Sequence, residues 1–424
     1  MSHRSGERPG PRLVCAQPAR MLVVPDKFKG TLAAPQVCSA IAAGWKSVRP
    51  ADHLDFLPMS DGGDGFGTVM ADLLHAQPRS VRTRDAAHRP LTAAWWWVPG
   101  EKLAIVEAAR VVGLALLPSK KFHPFQLDTF GLGRVLEAVS AAGAKNCLIG
   151  IGGSATNDAG FGLARALGWE FLDQHRRPIE QWWQLNHLAR VVSPGNQFKF
   201  KLTVAVDVLN PLLGPRGCSR VYGPQKGLAP EEVPYADQCL RWLTRILEQQ
   251  LGLSHAKTPG AGAAGGLGYG LMTFASATAQ SGFDVFAEAA RLEQRIRTSD
   301  VVITGEGAID RQTFMGKGVG QVANLCRKLK RPCVGLAGVV SPDARSAKLF
   351  ASVRGLTELT DPVSAKKRPQ IHLKKLGALA ARDFSASRCG SGRARQWQAG
   401  LRPARAAIAW QPTLHRNAPT LITP

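Results

Sequence analysis

Short apolar runs recur along this chain, and most empty into a cluster of glycine and polar residues before a stretch of helical spacing. Met21–Val24, His53–Leu57, Leu91–Val98, Leu103–Ala108, Leu148–Ile151, Lys201–Val206, Asp300–Thr304 and Cys333–Leu336 read as strands. Between them, helical patterns run from Pro35 to about Val48, Thr68 to about His75, about Leu132 to Ala142, Phe161 to Leu167, about Glu231 to Leu251, Val285 to Ile296, Val319 to Leu329 and about Ala365 to Phe384. Strands alternating with helices in this way predict an α/β fold.

The stretch Leu148 to Gly160 concentrates this pattern. A buried strand opens into Gly152-Gly153, and Ser154, Thr156, Asn157 and Asp158 stand where a helix should start ahead of Phe161. Such a junction offers backbone N–H groups and a positive helix end to a phosphate or carboxylate, and glycine lets the anion approach closely. Alternatively the glycines make a tight turn that Ser154 or Thr156 caps.

Repetition of this chemistry favours a ligand site. Pro25-Asp26-Lys27-Phe28-Lys29-Gly30 puts two lysines and an acid at the mouth of the first strand, where α/β folds gather ligands. Ser60-Asp61-Gly62-Gly63-Asp64-Gly65 sets two carboxylates around a glycine turn, suited to a metal, to a base or to the turn alone. Asp207 follows another strand, Tyr222-Gly223-Pro224-Gln225-Lys226-Gly227 places Lys226 in a glycine loop, and Glu306 stands at a strand end within Thr304-Gly305-Glu306-Gly307. The dense run Pro259 to Gly270, with Gly260, Gly262, Gly265 and Gly266, reads as a loop able to cradle a triphosphate.

Composition narrows the class. The chain has 424 residues and is 45% hydrophobic, enough for two domains or one large one, and its longest uncharged stretch, Thr258 to Gly282, is too rich in Gly, Ala, Ser and Thr for a membrane span. Eight scattered cysteines lack metal-ligand spacing and read as reduced packing residues of a cytoplasmic protein. The net charge of +23 raises a nucleic-acid reading, but residues 1–20 and 386–424 supply +3 and +6 of it and the rest is spread thinly, which suits a basic enzyme with anionic substrates. Trp95-Trp96-Trp97 reads as strand packing, since nothing basic interleaves it. No Walker A, protein-kinase or H-E-x-x-H motif occurs. The two ends lack hydrophobic period, so 1–20 is expected to be a disordered extension and 386–424 a disordered Arg-rich tail.

Six motifs in order, namely Pro25-Asp26-x-Phe28-Lys29-Gly30, Ser60 to Gly65, Gly150 to Asp158, Gly223 to Gly227, Pro259 to Gly266 and Thr304 to Gly307, closely resemble those of the bacterial glycerate kinases of the first type, over about residues 21–385. The resemblance implies ATP- and Mg2+-dependent phosphorylation of D-glycerate, giving 2-phosphoglycerate or else 3-phosphoglycerate. It also implies two α/β domains: a discontinuous flavodoxin-like one (21–80 plus 297–385) and one from the middle of the chain (81–296). Neither a membrane nor a nucleic acid is an expected partner. Lys27 stands where the family often has Ser, Asp64 where it often has Glu, and Leu209 where a second Asp is common. An inactive kinase-like binding protein, or a basic nucleic-acid-associated protein, is the alternative.

Within that reading, Gly152, Gly153, Ser154, Thr156, Asn157, Lys226, Gly260, Gly262, Gly265 and Gly266 are the nucleotide-binding candidates, and Lys29, Asp61 and Asp207 the catalytic ones. Asp207 is assigned to the base or substrate side and Asp61 and Glu306 to magnesium, with Asp158 and Asp310 next in line.

Overall fold

The computed structural model describes residues 17–388 apart from 29, 120, 196–197, 315–317 and 344–348. Lys29, the Gly316-Lys317 pair, Cys15 and Cys389 therefore lie outside the described residues, as does nearly all of both ends expected to be disordered.

Thirteen strands are found among the described residues: β1 Arg20–Pro25, β2 His53–Phe56, β3 Gln77–Arg84, β4 Pro90–Val98, β5 Leu103–Glu107, β6 Asn146–Gly150, β7 Glu170–Asp173, β8 Leu188–Val192, β9 Lys201–Val206, β10 Thr278–Ser281, β11 Val301–Ile309, β12 Cys333–Val340 and β13 Ser352–Gly355. They form one five-stranded sheet in the order β13-β12-β11-β1-β2, a six-stranded sheet in the order β10-β9-β6-β5-β4-β3, and a β7-β8 pair. All pairings in the first sheet are parallel. Counted within that sheet, its order is 2-1-3-4-5, the flavodoxin-like arrangement, with its switch point between β1 and β11. In the second sheet β10, β9, β6 and β5 run parallel, and β4 and β3 add antiparallel.

Parallel strands must bury both faces, which explains why they appear in sequence as unbroken apolar runs. Met21, Leu22, Val23 and Val24 are each at most 1% exposed, and burying each is worth about 1.5–3 kcal/mol. One face of β1 packs on the helices Ala34–Lys46 and Pro369–Arg388 and the other against Phe286, Leu292, Ile296 and Val322. Antiparallel β4 instead alternates: Trp95 and Trp97 are buried edge to face at 6.3 Å, while Trp96 lies under the Arg110 guanidinium. The tryptophan run is strand packing, as expected.

Several boundaries differ from the sequence reading. Ala19 is fully buried and Arg20 opens β1, so the ordered chain starts before Met21. The helix Pro369–Arg388 runs past 385, and a separate short helix, Pro362–Lys367, precedes it, because Pro369 interrupts the expected single helix. The expected helix Val285–Ile296 is two, Gly282–Ala289 and Leu292–Thr298, broken where Arg291 takes a left-handed φ of 47°. Phe283, Phe286, Leu292 and Ile296 join the core of the first sheet, whereas Phe66 and Met70 pack with Ile105 and Ala205 of the second.

Among the described residues no helix is long and apolar enough to cross a membrane. The six described cysteines are buried free thiols, and burial raises the Cys38, Cys147 and Cys218 thiols well above their usual range.

Asp52 ties the start of β1 to the first helix. Its carboxylate, 1% exposed, accepts from Arg49 Nε and Nη2 at 2.5 and 2.8 Å, Trp45 Nε1 at 2.8 Å and the Ala19 amide at 3.0 Å. Burial works to raise its pKa, but the Arg49 bonds and the other donors outweigh it and hold it below 3.8. The stabilisation is therefore present above pH 3.8 and is lost as the pH falls through the lower folded value. Asp52→Ala strands the Arg49 charge, and denaturant titration at pH 7 is expected to show a loss of about 3–5 kcal/mol. An unchanged midpoint would contradict this account.

Candidate functional site

The polar loops cluster where the carboxyl ends of the parallel strands of the two larger sheets meet. β1 ends in Asp26-Lys27, and the chain beyond β2 enters Ser60 to Gly65. In that turn Gly62 adopts φ +100° against the Ala205 carbonyl of β9, and its own oxygen accepts from the Gly152 amide at 3.0 Å. A Cβ on Gly152 would lie 2.5 Å from Gly63 Cα, and one on Gly153, where φ is +77°, 1.8 Å from Asp64 Oδ1. The glycine pair therefore lets two backbone turns touch, one from each sheet.

The helix starts at Phe161, as its pattern predicts, but with Gly160 rather than Ser154 or Thr156 as its N-cap. Ser154 to Asp158 are instead a buried loop. Ser154 Oγ accepts from the Thr156 amide at 3.1 Å and lies 3.0 Å from Thr156 Oγ1, Asn157 Nδ2 donates to Ser219 Oγ at 2.9 Å, and Asn157 Oδ1 is buried without a partner among the described residues. Asp158 accepts from the Thr129 amide at 2.9 Å, Thr129 Oγ1 at 2.7 Å and the Gly162 amide at 2.9 Å. It is a loop anchor, fully buried, with its pKa pushed up to about 6 by burial and by Asp128.

Lys226 does not lie in a loop. It is the last residue of the helix Cys218–Lys226, and Gly227, at φ +106°, is the left-handed residue that ends it. The Lys226 ammonium is buried, donates to the Thr156 carbonyl at 2.5 Å, and has its pKa lowered to about 8 by burial. Its charge is held almost dry next to the glycine loop.

The dense glycine run also differs from an open phosphate cradle. Ala264, Gly265 and Gly266 make three left-handed residues in succession, after which the chain is helical to Phe274. The Gly262 amide donates to Asn210 O at 2.8 Å and the Ala159 amide to Gly265 O at 3.1 Å. A Cβ on Gly265 would meet the Thr156 carbonyl at 1.9 Å, one on Gly266 the Ala159 Cα at 2.8 Å and one on Gly260 the Val206 side chain at 3.0 Å. These glycines press the 260–270 segment onto the Ser154–Asp158 loop and β9. Only neighbouring Ala264 reaches the cavity described next.

That cavity, about 460 Å3, is lined by Gly152, Gly153, Ser154, Asp207, Lys226 and Ala264, and also by Asp64, Tyr222 and Gln225. Five of the sequence candidates thus share one wall. Asp207 is exposed just beyond β9, and burial, then Asp207, push the Tyr222 phenol up to about 12.

Asp61 and Glu306 belong to a second cluster, on the first sheet. Glu306 lies within β11, not at its end, 7% exposed, and accepts from Thr313 Oγ1 at 2.7 Å. Asp61 Oδ1 accepts from the Gly63 amide at 3.3 Å. Asp310 instead caps a turn, taking the Gln312 amide at 2.7 Å. The residue missing from the sequence candidates is Asp26, at the switch point. Burial first, then the charges of Asp61 and Glu306, raise its pKa from 3.8 to about 7 despite the Lys27 amide. Lys27 Nζ donates to Asp64 O at 3.1 Å, linking this cluster to the cavity.

Excess negative charge beside an open cavity fits a divalent cation. No group of three or more His, Cys, Asp or Glu is arranged for a metal among the described residues. Magnesium commonly takes one or two carboxylates and completes its shell with water and phosphate oxygens, so Asp26, Asp61 and Glu306 fit that partial role.

The model of the glycerate kinase family matches residues 21–383. The chain belongs to the glycerate kinase family. It is 35% identical over 378 residues to the glycerate kinase of Bacillus subtilis (strain 168), covering 87% of this chain and 97% of that one. It is 35% identical to the glycerate 2-kinase of Escherichia coli (strain K12), covering 76% of this chain and 86% of that one. A crystal structure assigned as glycerate kinase 2 from Salmonella typhimurium LT2 superposes with a TM-score of 0.75 at 29% identity, covering 88% of this chain and all of that one.

For this family member two outcomes test the site. Asp26 is raised, so protonation favours the fold: its contribution is full below 3.8 and is lost as pH rises through about 7. Asp26→Asn is therefore expected to melt above wild type at pH 8, with the gap closing as the pH is lowered; a gap constant with pH would refute the shift. Gly153→Ala forces Asp64 away and strains a left-handed residue at a cost of about 1–2 kcal/mol. A lower Tm together with impaired turnover is expected, and an unaltered enzyme would remove the turn from the site.

Proposed function

We propose that this chain is a glycerate kinase that transfers the γ-phosphoryl group of ATP, with Mg2+, to the 2-hydroxyl of D-glycerate. The observation carrying this reading is the shared cavity, in which a desolvated lysine and a glycine turn adjoin Asp207, beside a separate carboxylate cluster. Phosphoryl transfer asks for positioning and charge neutralisation, and these are the corresponding parts.

In this reading Lys226, kept charged at neutral pH and poorly hydrated, pairs with a phosphate oxygen of the nucleotide. Asp207 accepts the proton of the attacking hydroxyl. Asp26, Asp61 and Glu306 offer the carboxylates for magnesium, which when bound neutralises the polyphosphate. Lys27, fixed on the Asp64 carbonyl, keeps that cluster from repelling an anionic acceptor. Family membership and the named relatives support the kinase reading over a nucleic-acid role.

Incubation with ATP, magnesium and D-glycerate, followed by enzymatic discrimination of 2- from 3-phosphoglycerate, is expected to yield the 2-isomer. Absence of both products would sink the kinase reading, and the 3-isomer would sink its regiochemistry. Lys226→Met is expected to lower kcat/KM about tenfold to a hundredfold, the worth of one charged hydrogen bond. Asp207→Asn should cut kcat while leaving the magnesium dependence intact, whereas Asp61→Asn should shift both. Wild-type kinetics in these variants would move the chemistry elsewhere.

A further inference from the structure

A second cavity, about 520 Å3, shares no lining residue with the one above. Its volume falls in the range of small-molecule sites. Its cations come from three elements: Arg84 from the end of β3, His88 from the turn between β3 and β4, and Arg165 from the helix Phe161–Ala166. Phe125 and Phe130 supply aromatic walls.

The charges are cancelled only in part. Asp128, 7% exposed, is engaged by His88 Nε2 at 2.9 Å, and that hydrogen bond is the main cause holding the imidazole above its usual range. Arg165 donates to a carbonyl, that of Glu180, and its guanidinium lies 6.0 Å from the Phe130 ring. The Glu180 side chain is exposed at the rim. Among the described residues the Arg84 guanidinium has no carboxylate partner. His88 also holds a left-handed φ of 59° while its ring contacts Phe130 at 5.8 Å, so a strained backbone keeps the imidazole at the cavity.

Guanidinium groups lining a concave, aromatic-walled space match an anion carried on a flat apolar body: the charge pairs with arginine and the body stacks on the rings. We propose that this cavity is a second ligand site, for an organic anion of the size of an aryl phosphate or aryl carboxylate, held by Arg84, Arg165 and His88. The site has a route to the catalytic loop. The segment Asp128-Thr129-Phe130 faces the cavity on one side, and on the other Thr129 grips Asp158, the anchor of the Ser154–Asp158 loop.

Phenyl phosphate is the probe, titrated calorimetrically into the full chain, with inorganic phosphate in parallel. One-to-one binding is expected, at least tenfold tighter for phenyl phosphate, since inorganic phosphate leaves the aromatic walls unused. Arg84→Gln, at an exposed position, should weaken phenyl phosphate about tenfold and leave turnover unchanged, while Lys226→Met should leave this binding as it was. No saturable binding at millimolar concentration, equal binding of inorganic phosphate, or an affinity insensitive to Arg84→Gln would each overturn the proposal. Loss on Lys226→Met would do so too, by placing the anion in the first cavity.

Discussion

Two glycine turns from different sheets meet backbone to backbone, Gly152 N on Gly62 O at 3.0 Å, and that contact sets the loop after β2 against the loop after β6. Such an approach leaves no room for a Cβ, as the 2.5 Å clearance at Gly152 and the 1.8 Å clearance at Gly153 record. On one side of the contact lies a carboxylate cluster at the switch point of a 2-1-3-4-5 sheet; on the other lies a cavity with a desolvated lysine. Without the contact, the carboxylates of the first sheet and the cavity that holds the lysine would have no shared backbone to fix them side by side.

The second cluster of glycines extends the same principle. Gly265 and Gly266 hold the start of the helix ending at Phe274 against Thr156 and Ala159, and the Thr156 carbonyl in turn holds Lys226. A short chain of backbone contacts thus fixes a charge that water would otherwise loosen. Glycine here acts by excluding its own side chain, in positions where a ligand-binding role and a packing role look alike in sequence.

That ambiguity sets what could be read without coordinates. The strands were legible because parallel strands bury both faces, so Met21–Val24 and Lys201–Val206 stand out as apolar runs ending at functional loops. The flavodoxin-like sheet and the family followed from the motifs and their order. Lys226 was misplaced because Gly223, Pro224 and Gly227 resemble a loop, whereas Gly227 is a helix cap whose sign is a positive φ. The break at Arg291 left no trace, since a left-handed arginine has no compositional signature. Asp26 was visible as an acid at a strand mouth, but its raised pKa arises first from burial and then from Asp61 and Glu306, all of which only folding supplies.

The parallel pairing of β1 with β11 has a consequence for biosynthesis. Thr304 Oγ1 reaches the Val24 carbonyl across 280 positions, so the centre of the first sheet cannot close until the whole second sheet has left the ribosome. At about 5–20 residues per second the apolar strand β1, with β2 its only early neighbour, waits for some tens of seconds. The nascent chain thus carries an unpaired hydrophobic edge through most of its synthesis, which makes β1 the segment most in need of chaperone cover.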